Sequence, residues 1–161
     1  MMDSNTRDTL DKFASVIREL TDTAGNIAHI EEQKAVAASE KRHQLMDAFI
    51  QDEQAQILRL RGLEQRRLRL ADSLGWKSLT FRQILEKAGP EEHTLLQPLL
   101  LELERQLKRL EQARGNAEQI IHTRLHEIQI LLARQQGSSY DNTGNVNLSP
   151  PARAKLQDKY V

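Results

Sequence analysis

The chain has 161 residues, 39% of them hydrophobic and only 4% aromatic, and its 23 Lys and Arg balance 23 Asp and Glu. This length favours one domain, and the scarcity of aromatic side chains fits a slender helical bundle better than a thick globular core. A net charge of zero provides no field that attracts nucleic acid or an anionic membrane, and the absence of Cys excludes disulfides, thiolate catalysis and cysteine metal sites.

The first predicted element is a long helix over residues 6–37. Its apolar residues lie three or four positions apart: Leu10, Phe13, Ile17, Leu20, Ala24 and Ile27. This spacing places them on one helical face, and the rhythm weakens through Ala35 and Ala38. Gly25 and Asn26 fall inside the pattern, at a cost of about 1 kcal/mol relative to Ala, and they mark a position where the helix can kink.

A second long helix is predicted over residues 40–74, with Ser39 as its N-cap. Its apolar residues are Met46, Ile50, Ile57, Leu60, Leu63, Leu70 and Leu74. Glu53, Glu64 and Arg67 interrupt this stripe, and the spacing of three between Glu64 and Arg67 allows an ion pair on one face. Polar breaks of this kind more often fix the register of helices than perform chemistry.

A short connector helix is predicted between the second and third long helices. Gly75 is expected to end the second helix as a left-handed cap. Thr80 and Gln83 then have the spacing of a capping box, which predicts a helix over residues 81–88. Pro90 suits the first turn of the next helix.

The third long helix, predicted over residues 91–133, is expected to be the axis of the molecule. Its stripe consists of Leu96, Leu100, Leu103, Leu107, Leu110, Ala113, Ala117, Ile121, Leu125, Ile128 and Leu132. The stretch 95–132 would form a rod of roughly 57 Å, so the stripe must be covered by other long helices. Pro98 either kinks this helix near its start or marks its first turn.

The predicted architecture is therefore all-α: an elongated antiparallel bundle of three long helices with a short connector helix over residues 1–134. Residues 135–161 are expected to form a flexible tail, with a short amphipathic helix at about 150–160. Four residues of this tail form a ridge with a strict spacing of four: Leu148, Ala152, Leu156 and Tyr160. So short a helix needs a partner surface, which is either a client protein or the chain's own bundle.

A search for catalytic and metal-binding motifs finds almost nothing. The glycines are scattered singly, so neither a phosphate-binding loop nor a dinucleotide fingerprint is present. Glu118, His122 and His126 have a spacing that could hold a metal, but a surface position is favoured for them. A di-iron bundle needs two Glu-x-x-His motifs, and only Glu40 to His43 fits. No catalytic residue, metal or cofactor is predicted, and the chain is not expected to be an enzyme.

A cluster of arginines in the second helix is the only candidate for polyanion binding. It comprises Arg59, Arg61, Arg66, Arg67 and Arg69. Glu64 and Asp72 dilute it and no aromatic residue is interleaved for base stacking, so a solvated helix face is favoured and no nucleic-acid partner is predicted. No apolar run is longer than four residues, so neither a signal peptide nor membrane insertion is expected, and a cytoplasmic location is predicted.

Five short sequence segments, spread over nearly the whole chain, follow one another in an order that is informative. The segments are the run Glu53, Ile57, Leu60, Leu63, Glu64 and Arg67, the pair Leu74-Gly75, the stretch from Leu79 to Leu85, Asn116 ahead of Ile120 and Ile121, and the tail sequence Tyr140-Asp-Asn-Thr-Gly144. This order resembles the FlgN family of flagellar export chaperones. The family often carries a second Asn one turn before Asn116, where this chain has Ala113.

The resemblance implies a cytoplasmic chaperone that binds the terminal helices of the hook-filament junction (hook-associated) proteins. It would prevent their premature assembly and deliver them to the type III export gate, where Tyr140 is the predicted aromatic anchor. The tail ridge is the main predicted client contact. Ala113 and Ala117 form a narrow waist that is a second candidate, although tight internal packing is favoured there.

The alternative is a structural coiled-coil adaptor or tether that releases no client. The sequence does not select between the two junction proteins, and the apolar stripes are also compatible with self-association.

Overall fold

The computed structural model describes residues 2–136, and within this range the chain contains four α-helices and no strand. The helices are α1 (Ser4–Ser39), α2 (Met46–Ser73), α3 (Phe81–Lys87) and α4 (Pro90–Gln136), and a 3₁₀ turn (His43–Leu45) precedes α2. The three long helices pack into a bundle, so the all-α prediction is confirmed. The predicted tail helix lies outside the described residues.

The long helices run up, down and up. The side chains of Lys34 and Glu53 meet near one end of the α1/α2 pair, and those of Phe13 and Trp76 meet near the other, so α2 is antiparallel to α1. Arg7 forms an ion pair with Glu91 at the start of α4, and Arg124 donates to the Ser39 carbonyl at the end of α1. These contacts make α1 and α4 parallel.

The central helix of the bundle is α1, not the third long helix that the sequence analysis expected to be the axis. It packs against α4 most extensively and against α2 next, whereas α2 and α4 come close to each other at few places. Its buried face is correspondingly wide. It includes Leu10, Phe13, Ala14, Val16, Ile17, Leu20, Ala24, Ile27 and Ala28.

The connection between α1 and α2 differs from the prediction. Ser39 is the last residue of α1 instead of the cap of α2, and α2 begins only at Met46. Lys41, with a φ of 59°, adopts the left-handed conformation that turns the chain. Residues 40–44 are all polar and therefore carry no apolar stripe, and the reversal of the backbone occupies the six residues 40–45 that the prediction had assigned to the second helix.

The connector between α2 and α4 follows the prediction closely. Gly75 has a φ of 81°, which is the left-handed conformation expected of a C-terminal cap. The Thr80 hydroxyl accepts from the Gln83 amide while the Gln83 side chain accepts from the Thr80 amide, so the capping box is present. The α4 helix then begins at Pro90, and it runs without interruption through Pro98.

Candidate functional site

The C-terminal part of α4 extends beyond the rest of the bundle. The Arg124 guanidinium lies 3.0 Å from the carbonyl oxygen of Ser39, so α1 ends at the level of Arg124. The last 12 residues of α4, 125–136, continue past this point for about 18 Å. We call residues 125–136 the α4 overhang.

The overhang carries an apolar ridge that has no cover within the described part of the chain. Leu125, Ile128 and Leu132 are 44%, 42% and 43% exposed, and Ile121, one turn earlier, is half-buried. Steps of four, three and four residues keep these four side chains on one helical face. The ridge is therefore the direct continuation of the α4 stripe.

The same stripe is fully packed in the first half of α4. Its members Leu96, Leu100 and Leu103 are at most 2% exposed, and Leu107 and Leu110 are also buried. The expectation that other helices cover the whole stripe is therefore wrong beyond Ile121, because α1 and α2 end before α4 does.

Further apolar side chains are exposed at this end of the molecule. Ile130 and Leu131 lie on the overhang outside its ridge, while Val36 near the end of α1 and Leu45 and Ile50 around the start of α2 are also exposed. Exposed leucine and isoleucine side chains that are concentrated at one end of a molecule are typical of a binding site for another apolar surface.

A buried cluster of charged side chains lies just below the overhang and joins the three long helices. Lys34 of α1 is 2.7 Å from Glu53 of α2 and 3.3 Å from Glu31 of its own helix. Arg114 of α4 approaches the same carboxylates, at 4.0 Å from Glu31 and 3.8 Å from Glu53. The two cations lie close to both carboxyl groups, which lowers the cost of burying a carboxylate here.

The two carboxyl groups of this cluster share a proton unequally. Burial, together with the hydrogen bond to Glu53, raises the pKa of Glu31 to about 7. Burial acts on Glu53 in the same direction, but the hydrogen bonds from Glu31 and Lys34, together with the positive charges of Lys34 and Arg114, outweigh it and lower the pKa of Glu53. Below about pH 7 Glu31 therefore retains its proton, which it can donate to the ionised carboxylate of Glu53.

The sequence analysis named only Glu53 of this cluster and missed Glu31, Lys34 and Arg114, of which Glu31 is the most deeply buried. It lies four residues after Ile27 and four before Ala35, at a position where the stripe of α1 requires a buried residue. A carboxylate at a core position of a long helix was the available signal. A glutamate interrupts an apolar stripe, so the apolar spacing alone does not identify Glu31 as a core residue.

The predicted pair of Glu64 and Arg67 is present at the opposite end of α2. The Arg67 guanidinium donates to both carboxylate oxygens of Glu64, at 2.9 and 2.8 Å, and both residues are buried. The guanidinium also lies over the ring of Phe81, 5.8 Å from its centroid. This geometry joins α2 to the connector and is structural.

The arginine cluster of α2 does not form a uniform basic surface. Arg67 is buried with Glu64, and the guanidinium groups of Arg59 and Arg66 each lie 3.8 Å from the carboxylate of Glu19. These arginines are therefore partly neutralised within the bundle, as expected of a solvated helix face.

Two further predicted site residues, Ala113 and Ala117, are buried inside the bundle. Their burial fits the favoured interpretation of tight internal packing. Their role in client binding stays a prediction. His122 and His126 are exposed, and residues 2–136 contain no group of three or more His, Asp or Glu that could hold a metal ion.

Five predicted site residues lie outside the described residues: Tyr140, Leu148, Ala152, Leu156 and Tyr160.

None of the helices in the described range is long and apolar enough to cross a lipid bilayer. Comparisons of the chain with protein-family models, with curated proteins and with solved structures gave no match.

Proposed function

We propose that this chain is a chaperone that binds amphipathic helices of a client protein on the α4 overhang. The observation that carries the proposal is the exposed ridge of Leu125, Ile128 and Leu132, which continues a packed helical stripe beyond its last partner. An amphipathic helix binds such a surface through its own apolar residues at spacings of three and four. A filament subunit has helices of this kind, whose apolar faces are covered only after assembly.

The size of the ridge favours a client that is released. Complete burial of a Leu or Ile side chain contributes about 1.5–3 kcal/mol. Since the three ridge residues are already more than half buried, covering the rest contributes about 2–4 kcal/mol in total. This is well below the roughly 8 kcal/mol of micromolar affinity, so a client must find further contacts and remains exchangeable. A permanent tether would need a larger apolar surface.

The resemblance to the FlgN family supports a more specific form of the proposal. In this form the clients are the hook-filament junction proteins, the site of action is the cytoplasm, and the complex is delivered to the flagellar export gate. The tail residue Tyr140 is the proposed anchor at that gate.

Co-expression with each junction protein, followed by size-exclusion chromatography, tests client binding. We expect a defined soluble complex and slower polymerisation of the client. Ile128→Asp should weaken the complex by at least about tenfold, because a charge in an apolar contact remains unpaired. Leu101→Asp is the matched control, since Leu101 is an exposed leucine of α4 outside the overhang. A tether would form no such complex, and equal affinity for both variants would exclude the overhang as the client site.

A second experiment tests the proposed role of Tyr140. Tyr140→Ala should impair export of the junction proteins while client binding stays intact. Simultaneous loss of binding and export would contradict the assignment, because it would indicate that the ring packs on the bundle instead of the gate.

A further inference from the structure

We infer that, in the client-free protein, the C-terminal segment 148–160 packs as a helix on the α4 overhang and covers its ridge. The inference concerns the regulation of the proposed client site and rests on that proposed function where it describes competition with a client. Its starting point is the exposed face of Leu125, Ile128 and Leu132, which no residue of the described chain covers.

The two ridges match in length and in character. The ridge from Ile121 to Leu132 spans about 16.5 Å of helix. The segment's own ridge, from Leu148 to Tyr160, would span about 18 Å in helical form. Each ridge is narrow and apolar, and a helix as short as 148–160 is marginal in water without a surface to pack on.

The connecting sequence allows the segment to reach the overhang. About 11 residues, 137–147, separate the end of α4 from Leu148, and they can span up to roughly 36 Å when extended. The segment needs to return along only about 17 Å of α4. Glycine and serine at the start of this spacer permit the reversal of direction that an antiparallel arrangement requires.

Proximity favours this segment over a second copy of the chain. A short flexible tether gives a local concentration in the millimolar range, about a thousandfold above a second copy present at micromolar concentration.

A disulfide cross-link in the full-length chain tests the inference. Because the natural sequence has no Cys, the pair Gln129→Cys and Arg153→Cys, which lie opposite each other when the two ridges are antiparallel, reports a single contact between the overhang and the segment. Under mild oxidation at low micromolar concentration, we expect an intramolecular disulfide, detected by gel mobility without reductant and by mass spectrometry.

Substitutions in the background of this Cys pair decide the outcome. Leu156→Asp and Ile128→Asp should each slow the cross-link by about tenfold or more, since each places a charge in the contact. Leu101→Asp should leave the rate unchanged. Rates that are the same in all backgrounds, or disulfides that form only between differently tagged chains, would overturn the inference.

Addition of a junction protein separates this inference from the proposed function. Because one surface cannot hold both ligands, the client should suppress the cross-link, and Leu156→Asp should strengthen client binding. A cross-link that depends on Leu156 in a chain that binds no junction protein would support the inference and refute the function. Client binding together with a cross-link that is insensitive to Leu156→Asp would support the proposed function and refute the inference.

Discussion

The two halves of α4 carry the same apolar stripe in different surroundings. From Leu96 to Ala117 the stripe lies against α1 and is buried, whereas from Leu125 to Leu132 similar side chains are more than 40% exposed. The residue types and the spacing do not change between the halves. What changes is that the partner helices end at the level of Arg124. A stripe therefore identifies the face that needs a partner, and the ends of other elements decide whether the chain supplies one.

The largest expected effect is in the packed half. Leu103→Ala should reduce the free energy of unfolding by about 2–5 kcal/mol, because it leaves a cavity at a residue that is 1% exposed. Urea denaturation monitored by circular dichroism measures the loss. A change below 1 kcal/mol would show that the core around α4 is looser than its burial indicates.

The buried charge cluster at the boundary of the two halves should make stability depend on pH. Folded Glu31 keeps its proton up to about pH 7, whereas its ordinary value is 4.5, so the folded state binds more protons in this interval. Stability should therefore decrease as the pH rises from about 4.5 through 7, by a difference on the order of 3 kcal/mol. Glu53, with its lowered pKa, acts in the opposite sense only as the pH falls below about 4.5.

Glu31→Gln supplies the control for that pH dependence. The amide can still donate to Glu53 but does not titrate, so the decrease between pH 4.5 and 7 should disappear. Denaturant midpoints of both proteins at pH 5 and pH 7.5 measure it. A variant with the same slope as the natural chain would assign the titration to another group.

Ile128→Asp in the overhang should change the free energy of unfolding of the bundle by less than about 1 kcal/mol, because the side chain contributes little to the core. Thermal unfolding beside Leu103→Ala gives the direct comparison of the two halves. A loss as large as that of Leu103→Ala would mean that the overhang is part of the cooperative core.

The smallest effect is expected at the surface of the packed half. Arg109 forms a two-bond ion pair with Glu32, which lowers the pKa of Glu32, but both side chains are substantially exposed. Arg109→Ala should therefore cost about 0.2–1 kcal/mol, and less at high salt. Denaturation at low and high ionic strength tests this, and a loss independent of salt would point to packing of the arginine stem instead.

Local signals in the sequence predicted local structure well. The capping box of Thr80 and Gln83, the cap at Gly75 and the pair of Glu64 and Arg67 all depend on residues within one turn of each other, and all are present. The position of α1 at the centre and the uncovered overhang depend on where separate helices end in space. Periodicity does not contain that information, so the same method missed both.

The partnership of α1 and α4 also has a consequence for biosynthesis. Their contacts join residues 77 to 85 positions apart, so α1 leaves the ribosome long before its main partner exists. In this interval α1 can pair only with α2, and the face that later meets α4 is open to solvent. In the nascent chain, the apolar face of α1 therefore stays exposed until α4 has been synthesised. We expect the docking of α4 to limit the folding rate of the protein.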